Sequence, residues 1–152
     1  MKKAKKILLA VLSMLTALLC AFGVAGCEDK NVLYVGVTLN SVGKDVSGEF
    51  VIKDGTKYID VSAFYGCDKI TKIVIPNSVT SIGYRVFYDC DSLTEIVIPD
   101  SVTSIGEDAF YSCDSLTEIV IPDSVTSIGS YAFYDCDSLT SVVIGRSIIA
   151  QV

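Results

Sequence analysis

Apolar side chains recur along this chain with a period of 23 residues. A cysteine marks each period, and a phenylalanine precedes each cysteine by three positions. The cysteines of the series are Cys67, Cys90, Cys113 and Cys136. The stretch CDSLTEIVIPDSVTSIG, which begins at Cys90, returns without a change at Cys113. Self-similarity at a fixed period of this length predicts a solenoid, in which each repeat forms one turn of a coil and packs against the next.

The first half of a repeat predicts a short strand that ends at a proline. Leu93, Ile96 and Ile98 have the spacing by which an entry turn and a strand direct their side chains to one face. Pro99 follows, and the chain must turn there because proline has no N–H for a further ladder bond. All three prolines of the protein occupy this position of successive repeats.

The second half of a repeat predicts a short extended segment and a compact turn. Val102 and Ile105 form a second inward-facing stretch, and Gly106 permits the backbone geometry of the next corner. Phe110 and Cys113 are three positions apart, which suits a single helical or 3₁₀ turn with both side chains inward. Each repeat is therefore predicted as strand, corner, extended segment, corner and helical turn.

The line L-x-x-I-x-I-P-x-x-V-x-x-I-G-x-x-A-F-x-x-C extends from about Phe50 to Ile148. It resembles the BspA-like leucine-rich repeats of bacterial cell-surface antigens. The resemblance implies a right-handed leucine-rich-repeat coil of 23-residue units, with short parallel strands and short helical or 3₁₀ turns, in about four turns. It also implies a non-catalytic surface protein that binds other proteins or mediates adhesion. A structural spacer, or a fragment of a larger surface protein, is the alternative.

The two ends of the chain depart from the repeat. Residues 27–47 show no repeat and are predicted to form a tether and an N-terminal cap, and residues 48–152 are predicted to form the solenoid. The last unit is incomplete after Ile144 and is followed by no polar cap, which would leave Leu139 and Val142 covered on one side only. We therefore expect either that the chain is a fragment or that it self-associates through this uncapped turn.

Residues 1–26 have the pattern of a signal peptide, with the basic stretch MKKAKK before a long uncharged apolar segment. The segment ends in Val24-Ala25-Gly26-Cys27, which resembles the lipobox of bacterial lipoproteins. The resemblance implies cleavage before Cys27 and a lipid on its thiol, which would anchor the protein on the extracellular face of the cell membrane. An uncleaved signal anchor is the alternative, because about 20 apolar residues also span a bilayer. Both place the rest of the chain outside the cytoplasm.

The charge of the chain argues against nucleic acid as a partner. The net charge is −6 at pH 7. Without residues 1–26, which hold four of the 12 basic residues and no acidic one, it becomes −10. A chain of this charge is repelled by phosphate backbones. A hydrophobic fraction of 51% with 20% charged residues also excludes simple disorder.

The residues needed for common catalytic sites are missing. The chain has no histidine, so Ser-His-Asp and Cys-His arrangements cannot form, and no zinc-binding or phosphate-binding motif is present. We expect no enzyme activity, no cofactor and no metal site. The cysteine column fits buried free thiols better than disulfides, although stacked turns would bring the Cα atoms within disulfide range.

An aspartate follows each cysteine of the series. These residues are Asp68, Asp91, Asp114 and Asp137. The favoured interpretation is that they cap backbone N–H groups of the turn. A calcium ladder is the alternative, but no Asp-x-Asp-x-Asp loop accompanies the aspartates.

The outward positions of the predicted strands are the candidate binding surface. Alternation along each strand places a valine, a threonine and a charged or polar residue outside. The residues are Thr71, Lys72, Val74, Thr94, Glu95, Val97, Thr117, Glu118, Val120, Thr140 and Val143. We call this set the strand face, and we expect it to contact an extracellular protein or another cell-surface ligand. The alternative is that valine and threonine occur there because they favour strands.

Overall fold

The computed structural model describes residues 31–149. The strands are β1 (Val32–Val35), β2 (Thr38–Val42), β3 (Gly48–Val51), β4 (Tyr58–Ile59), β5 (Ile70–Val74), β6 (Ser81–Ile82), β7 (Glu95–Val97), β8 (Ser104–Ile105), β9 (Glu118–Ile121), β10 (Ser127–Ile128) and β11 (Ser141–Ile144). A short helix, α1 (Arg146–Ile149), follows β11. Within residues 31–149, no helix is long and apolar enough to cross a membrane.

The strands form two sides of a coil. The longer strands β3, β5, β7, β9 and β11 lie along one side, and the two-residue strands β6, β8 and β10 pair in parallel along a second side. Ile73 pairs with Ile96, and Ile105 pairs with Ile128, so partners are one repeat apart. These pairings confirm the predicted repeat coil. It has five turns, because the divergent unit that contains β3 pairs with β5 and completes a turn.

An antiparallel hairpin covers the first turn. Strands β1 and β2 pair through Val35 and Thr38, and β2 then pairs in parallel with β4. Leu39 on β2 is fully buried in the core of the coil. The hairpin therefore shields the apolar interior at this end and leaves β1 as the outer strand.

Phenylalanine and cysteine columns fill the interior, as the sequence predicts. Phe64, Phe87 and Phe110 are fully buried, and the ring centroids of successive members lie 5.1 Å apart. The four cysteines of the series are free thiols. The Sγ of Cys90 donates to the carbonyl oxygen of Phe64 at 3.2 Å, and the thiols of the following turns repeat this bond one turn later. The thiol is thus a buried donor that links neighbouring turns.

The predicted helical turn is replaced by a third side of the coil that is bonded between turns. In the turn that contains Asp108, the N–H groups of Asp108, Phe110 and Ser112 donate to the carbonyls of Ser130, Ala132 and Tyr134 in the next turn, at 3.1, 2.8 and 2.9 Å. A helix requires bonds within the segment, whereas these donors point along the coil axis.

Two residues in each turn adopt the left-handed region and give this third side its shape. Asp108 has φ 54° and Ser112 has φ 53°, and the same two positions have positive φ in the other turns. Non-glycine residues adopt this region infrequently. The Nε of Arg85 donates to Oδ2 of buried Asp108 at 2.9 Å, which pairs two such residues of neighbouring turns.

The last turn exposes its apolar residues. Val142 and Ile144 on β11 are 44% and 42% exposed, whereas Ile119 and Ile121, one turn earlier, are both 1% exposed. Within residues 31–149, β11 pairs only with β9. Self-association through this turn stays a prediction.

Glycine at the second corner provides room for the neighbouring turn. The expectation that Gly106 supplies corner geometry is wrong, because its φ is not positive. A Cβ on Gly106 would lie 2.6 Å from the carbonyl carbon of Gly83 in the preceding turn. A Cβ on Gly83 would meet its nearest neighbour, Cγ2 of Val86, at 3.7 Å, an ordinary contact. In this glycine column, Gly106 therefore has no room for a Cβ, whereas Gly83 has.

This difference predicts opposite effects for the same substitution. Gly106→Ala should lower the free energy of unfolding by about 1–3 kcal/mol, because the Cβ overpacks against a backbone. Gly83→Ala should be neutral or raise it by about 0.4–1 kcal/mol, because the unfolded chain loses freedom. Urea denaturation of both variants measures the effects. An equal loss of stability in the two variants would contradict the steric argument.

A candidate binding face and the cleft that divides it

The residues of the strand face lie together on the outside of β5, β7, β9 and β11 and in the residues that lead into them. Val74 pairs with Val97, and Val120 pairs with Val143, so the valines form a stripe across the strands. Val97 and Val120 are 47% and 53% exposed. Lys72 and Val74 are half-buried. The structure therefore brings the predicted residues onto one surface.

The threonines of this surface hold the turns together. The hydroxyl of Thr94 donates to the carbonyl of Thr71 at 3.0 Å, and the N–H of Thr94 donates to the same oxygen at 2.9 Å. Thr140 makes the same pair of bonds to Thr117. The sequence indicates only a binding role for these side chains. Two of the four threonine hydroxyls are thus used in hydrogen bonds between turns. The valines and the charged residues are therefore the main groups available to contact a partner.

A column of charged residues runs beside the valines. In successive strands, Glu49 pairs with Lys72, Lys72 with Glu95, and Glu118 with Ser141. The Nζ of Lys72 lies 3.1 Å from Oε1 of Glu95 and 3.8 Å from Oε1 of Glu49. The hydrogen bond that Lys72 donates to Glu95, with the charges of both glutamates, raises the pKa of Lys72. Lys72 therefore lies between two carboxylates, one in the turn before it and one in the turn after it.

Glu49 belongs to this column, although the repeat pattern does not predict it. The first unit lacks the proline by which the later units are aligned, and Glu49 stands where they have lysine, glutamate or serine. The ladder between β3 and β5 also shifts register between Gly48 and Glu49. Only the strand pairing identifies the equivalence, although the alternation of Glu49 and Val51 is a weak signal for it.

The long side of the coil is divided by a cleft between β7 and β9. Strands β3, β5 and β7 form one sheet, and β9 and β11 form another, so β7 and β9 are not joined in a ladder. The cleft has a volume of about 520 Å³. It is lined by Thr94, Glu95, Ile96, Val97, Ile98, Thr117, Glu118 and Val120. Six of these eight residues, all except Ile96 and Ile98, belong to the strand face, so the cleft lies within it.

The opening is confined to the long side. Strands β8 and β10 of the same two turns remain paired, and the N–H of Ser115 donates to the carbonyl of Asp91 at 3.1 Å. At the floor of the cleft, Ile96 is 7% exposed, whereas Ile73 in the preceding turn is fully buried. The cleft therefore reaches the edge of the apolar core without separating the turns.

Comparison with known proteins identifies the repeat. The model of the BspA type leucine rich repeat region matches residues 46–150, in six copies. This chain belongs to the BspA-type leucine-rich repeat family. No curated protein matches its sequence.

Solved structures of bacterial proteins share the BspA-type coil. A leucine-rich repeat protein from Bacteroides ovatus is 35% identical, with a TM-score of 0.66 over 75% of this chain and 32% of that one. A leucine rich cell surface protein from Faecalibacterium prausnitzii is 29% identical, with a TM-score of 0.67 over 78% of this chain and 33% of that one. The leucine rich repeat protein of T. pallidum is 30% identical, with a TM-score of 0.58 over 76% of this chain and 70% of that one. The chain thus spans about a third of the length of the first two.

The aspartates of the BspA-type repeat are solvent-exposed and do not cap the turn. Among the described residues, no hydrogen bond of their carboxylates is found, because N–H groups such as that of Ser138 donate to main-chain oxygens of the preceding turn. The capping expectation is therefore wrong. Partial loss of hydration, followed by the charges of Asp114, Asp89 and Asp68, raises the pKa of Asp91. Within residues 31–149, no group of three or more acidic or cysteine side chains is placed to hold a metal ion.

A ladder of tyrosines covers another part of the BspA-type coil. Tyr65, Tyr88, Tyr111 and Tyr134 stack with centroid separations of 5.3, 4.7 and 5.3 Å. The hydroxyl of Tyr111 donates to Oδ2 of Asp135 at 3.1 Å. Partial burial in the ladder, together with this bond, raises the pKa of Tyr111 to about 12. The stacked rings therefore add a contact between each turn and the next along this column.

Proposed function

We propose that this BspA-type protein acts at the bacterial cell surface, where it binds other proteins through the strand face and has no catalytic role. The observation that carries the proposal is the row of half-exposed valines, Val97, Val120 and Val143, bordered by Lys72 and by glutamates. An apolar row with a charged border has the composition of a protein-contact surface. Its repetition in neighbouring turns suits an extended partner better than a small molecule.

The chemistry of the interior supports a binding role. Burial raises the pKa of the Cys67 thiol to about 11, and burial also raises the pKa of Cys90. Protonated, enclosed thiols are poor nucleophiles. With no histidine in the chain, the remaining groups on the strand face are hydroxyls, carboxylates and one lysine that is held in ion pairs.

The surface location has support from the comparisons. The protein from Faecalibacterium prausnitzii is described as a leucine rich cell surface protein, and its coil matches this one over most of the chain. We propose the same location here, with a lipid at Cys27 as the anchor. Cys27 lies outside the described residues, and the anchor is supported by the lipobox-like stretch that ends there.

The lipid anchor predicts a covalent label at one residue. Cells that express the full chain and grow with an alkyne fatty acid should label the protein, and Cys27→Ala should abolish the label and the membrane association. Cys67→Ala is the matched control, because that thiol is buried in the coil. Membrane association that persists in Cys27→Ala without label would contradict lipidation and support an uncleaved anchor.

The strand face predicts that added charge will disrupt binding without unfolding the protein. The double variant Val97→Lys with Val120→Lys should lose binding to any member of a panel of immobilised extracellular proteins that retains the parent. The melting temperature should be unchanged, because both side chains are solvent-exposed. Biolayer interferometry and thermal denaturation measure the two effects.

Val61→Lys is the control, because Val61 is 56% exposed and lies outside the strand face. Equal binding by the parent, the double variant and Val61→Lys would contradict use of the strand face. A parent that binds no protein of the panel would instead support the spacer.

A further inference from the structure

We propose that the cleft between β7 and β9 binds an extended segment of another polypeptide and holds one of its arginine or lysine side chains between Glu95 and Glu118. This inference rests on the proposed function, because it assigns a class of partner to the strand face. It follows from the shape of the cleft, from its charge and from a cation that the coil already holds in the same column.

The cleft offers backbone edges to an extended chain. The ladder that joins the other long strands is interrupted between β7 and β9. The N–H groups of Thr94 and Thr140 each donate to the preceding turn, at 2.9 and 3.0 Å, but within residues 31–149 no such bond joins Thr117 to Thr94. Since β7 and β9 remain neighbours, a peptide would lie across the opening and bond the backbone groups left free there, and would not form an added strand between them.

Lys72 shows how a cation is held in this column. Its Nζ lies between Glu49 and Glu95, which belong to the strands on either side, at 3.8 and 3.1 Å. One turn further along the coil, Glu118 follows Glu95, with no lysine or arginine between them. Within residues 31–149, Glu118 forms no ion pair of 4.0 Å or less. Glu95 is already paired with Lys72, whereas Glu118 lacks the cation that the preceding turns supply from the chain itself.

The apolar walls of the cleft suit the stem of a long basic side chain. Val97 and Val120 flank the opening, and Ile96 and Ile98 lie at its floor, 7% and 8% exposed. Arginine and lysine side chains bury their methylene groups along apolar surface while the charged end stays at a polar rim. Here Glu95 and Glu118 form that rim, and an arginine could donate to both carboxylates.

The charge of the protein selects against other classes of ligand. The chain carries 18 acidic and 12 basic residues, and four of the basic residues lie in residues 1–26. Nucleic acid and sulfated glycans are therefore repelled. A divalent cation is also disfavoured, since no group of three or more acidic or cysteine ligands is placed together in the described part of the chain.

Fluorescence anisotropy with the full-length protein tests the inference. The probes are two labelled decapeptides of alternating serine and valine, one with a central arginine and the other with citrulline, which has nearly the same shape without the charge. The arginine peptide should bind, and the citrulline peptide should bind at least about fivefold more weakly. Glu118→Gln should reduce binding of the arginine peptide by about the same factor and should leave citrulline binding unchanged.

Glu107→Gln is the control, because Glu107 is exposed and lies outside the strand face. Equal affinities of the two peptides, no binding of the arginine peptide, or equal losses in Glu118→Gln and Glu107→Gln would each overturn the inference. If the inference fails but the double valine-to-lysine variant still loses its protein partner, the proposed function stands. If that variant also binds normally, both fall.

Discussion

The stacking of each turn on the next, at the spacing of hydrogen-bonded strands, is the interaction on which the rest of this structure depends. All three sides of the coil take part: the long strands, the short strands, and the segment in which Phe110 donates to Ala132 of the next turn at 2.8 Å. Because hydrogen-bonded strands lie about 4.8 Å apart, equivalent residues of successive turns must tolerate one another at that distance. Every position of the repeat therefore becomes a column, and each column restricts the residue type that it accepts.

The columns explain both the core and the surface. Phenyl rings tolerate this spacing as a stack, with centroids about 5 Å apart, and thiols tolerate it by donating to the carbonyl of the preceding turn. A backbone passes so close to Gly106 that only glycine fits there. Carboxylates tolerate the spacing least, since like charges repel, and Lys72 relieves the repulsion between neighbours at one point of the charged column. Glu118 has no such relief within the coil, and this is where we infer that a partner supplies the cation.

The sequence predicts the repeat and its inward columns, because periodicity reports which residues are buried together. Phe87, Leu93 and Val102 are all fully buried, as expected. The sequence does not predict how the backbone of the third side is bonded. Asp108 and Ser112 are not glycine, and the weak signals for a positive φ, an aspartate at the first position and Gly66 in the column of the second, are outweighed by a spacing that favours a helical turn.

The cleft also escapes prediction, for a different reason. The two turns that it separates contain the same stretch of sequence, so the pattern of a single repeat does not mark the interrupted ladder, and only the charged column differs there, because a glutamate follows a glutamate. Glu49 is missed because its unit lacks the proline that aligns the others. The repeat pattern predicts features that every turn shares. It does not predict features that depend on the contact between two particular turns.

Thermal unfolding of a variant that lacks one complete turn tests most directly whether the stacking of turns in register stabilises the protein. Deletion of residues 90–112 removes one period and joins Asp89 to Cys113, which keeps every column in register. We expect this variant to unfold in one cooperative thermal transition, at a somewhat lower temperature than the parent, because one interface between turns is lost. Deletion of residues 90–111 shifts the following turns by one residue and should abolish cooperative unfolding, because inward side chains would be turned outward. Similar melting curves for the two deletions would contradict the claim that register between stacked turns holds the protein together.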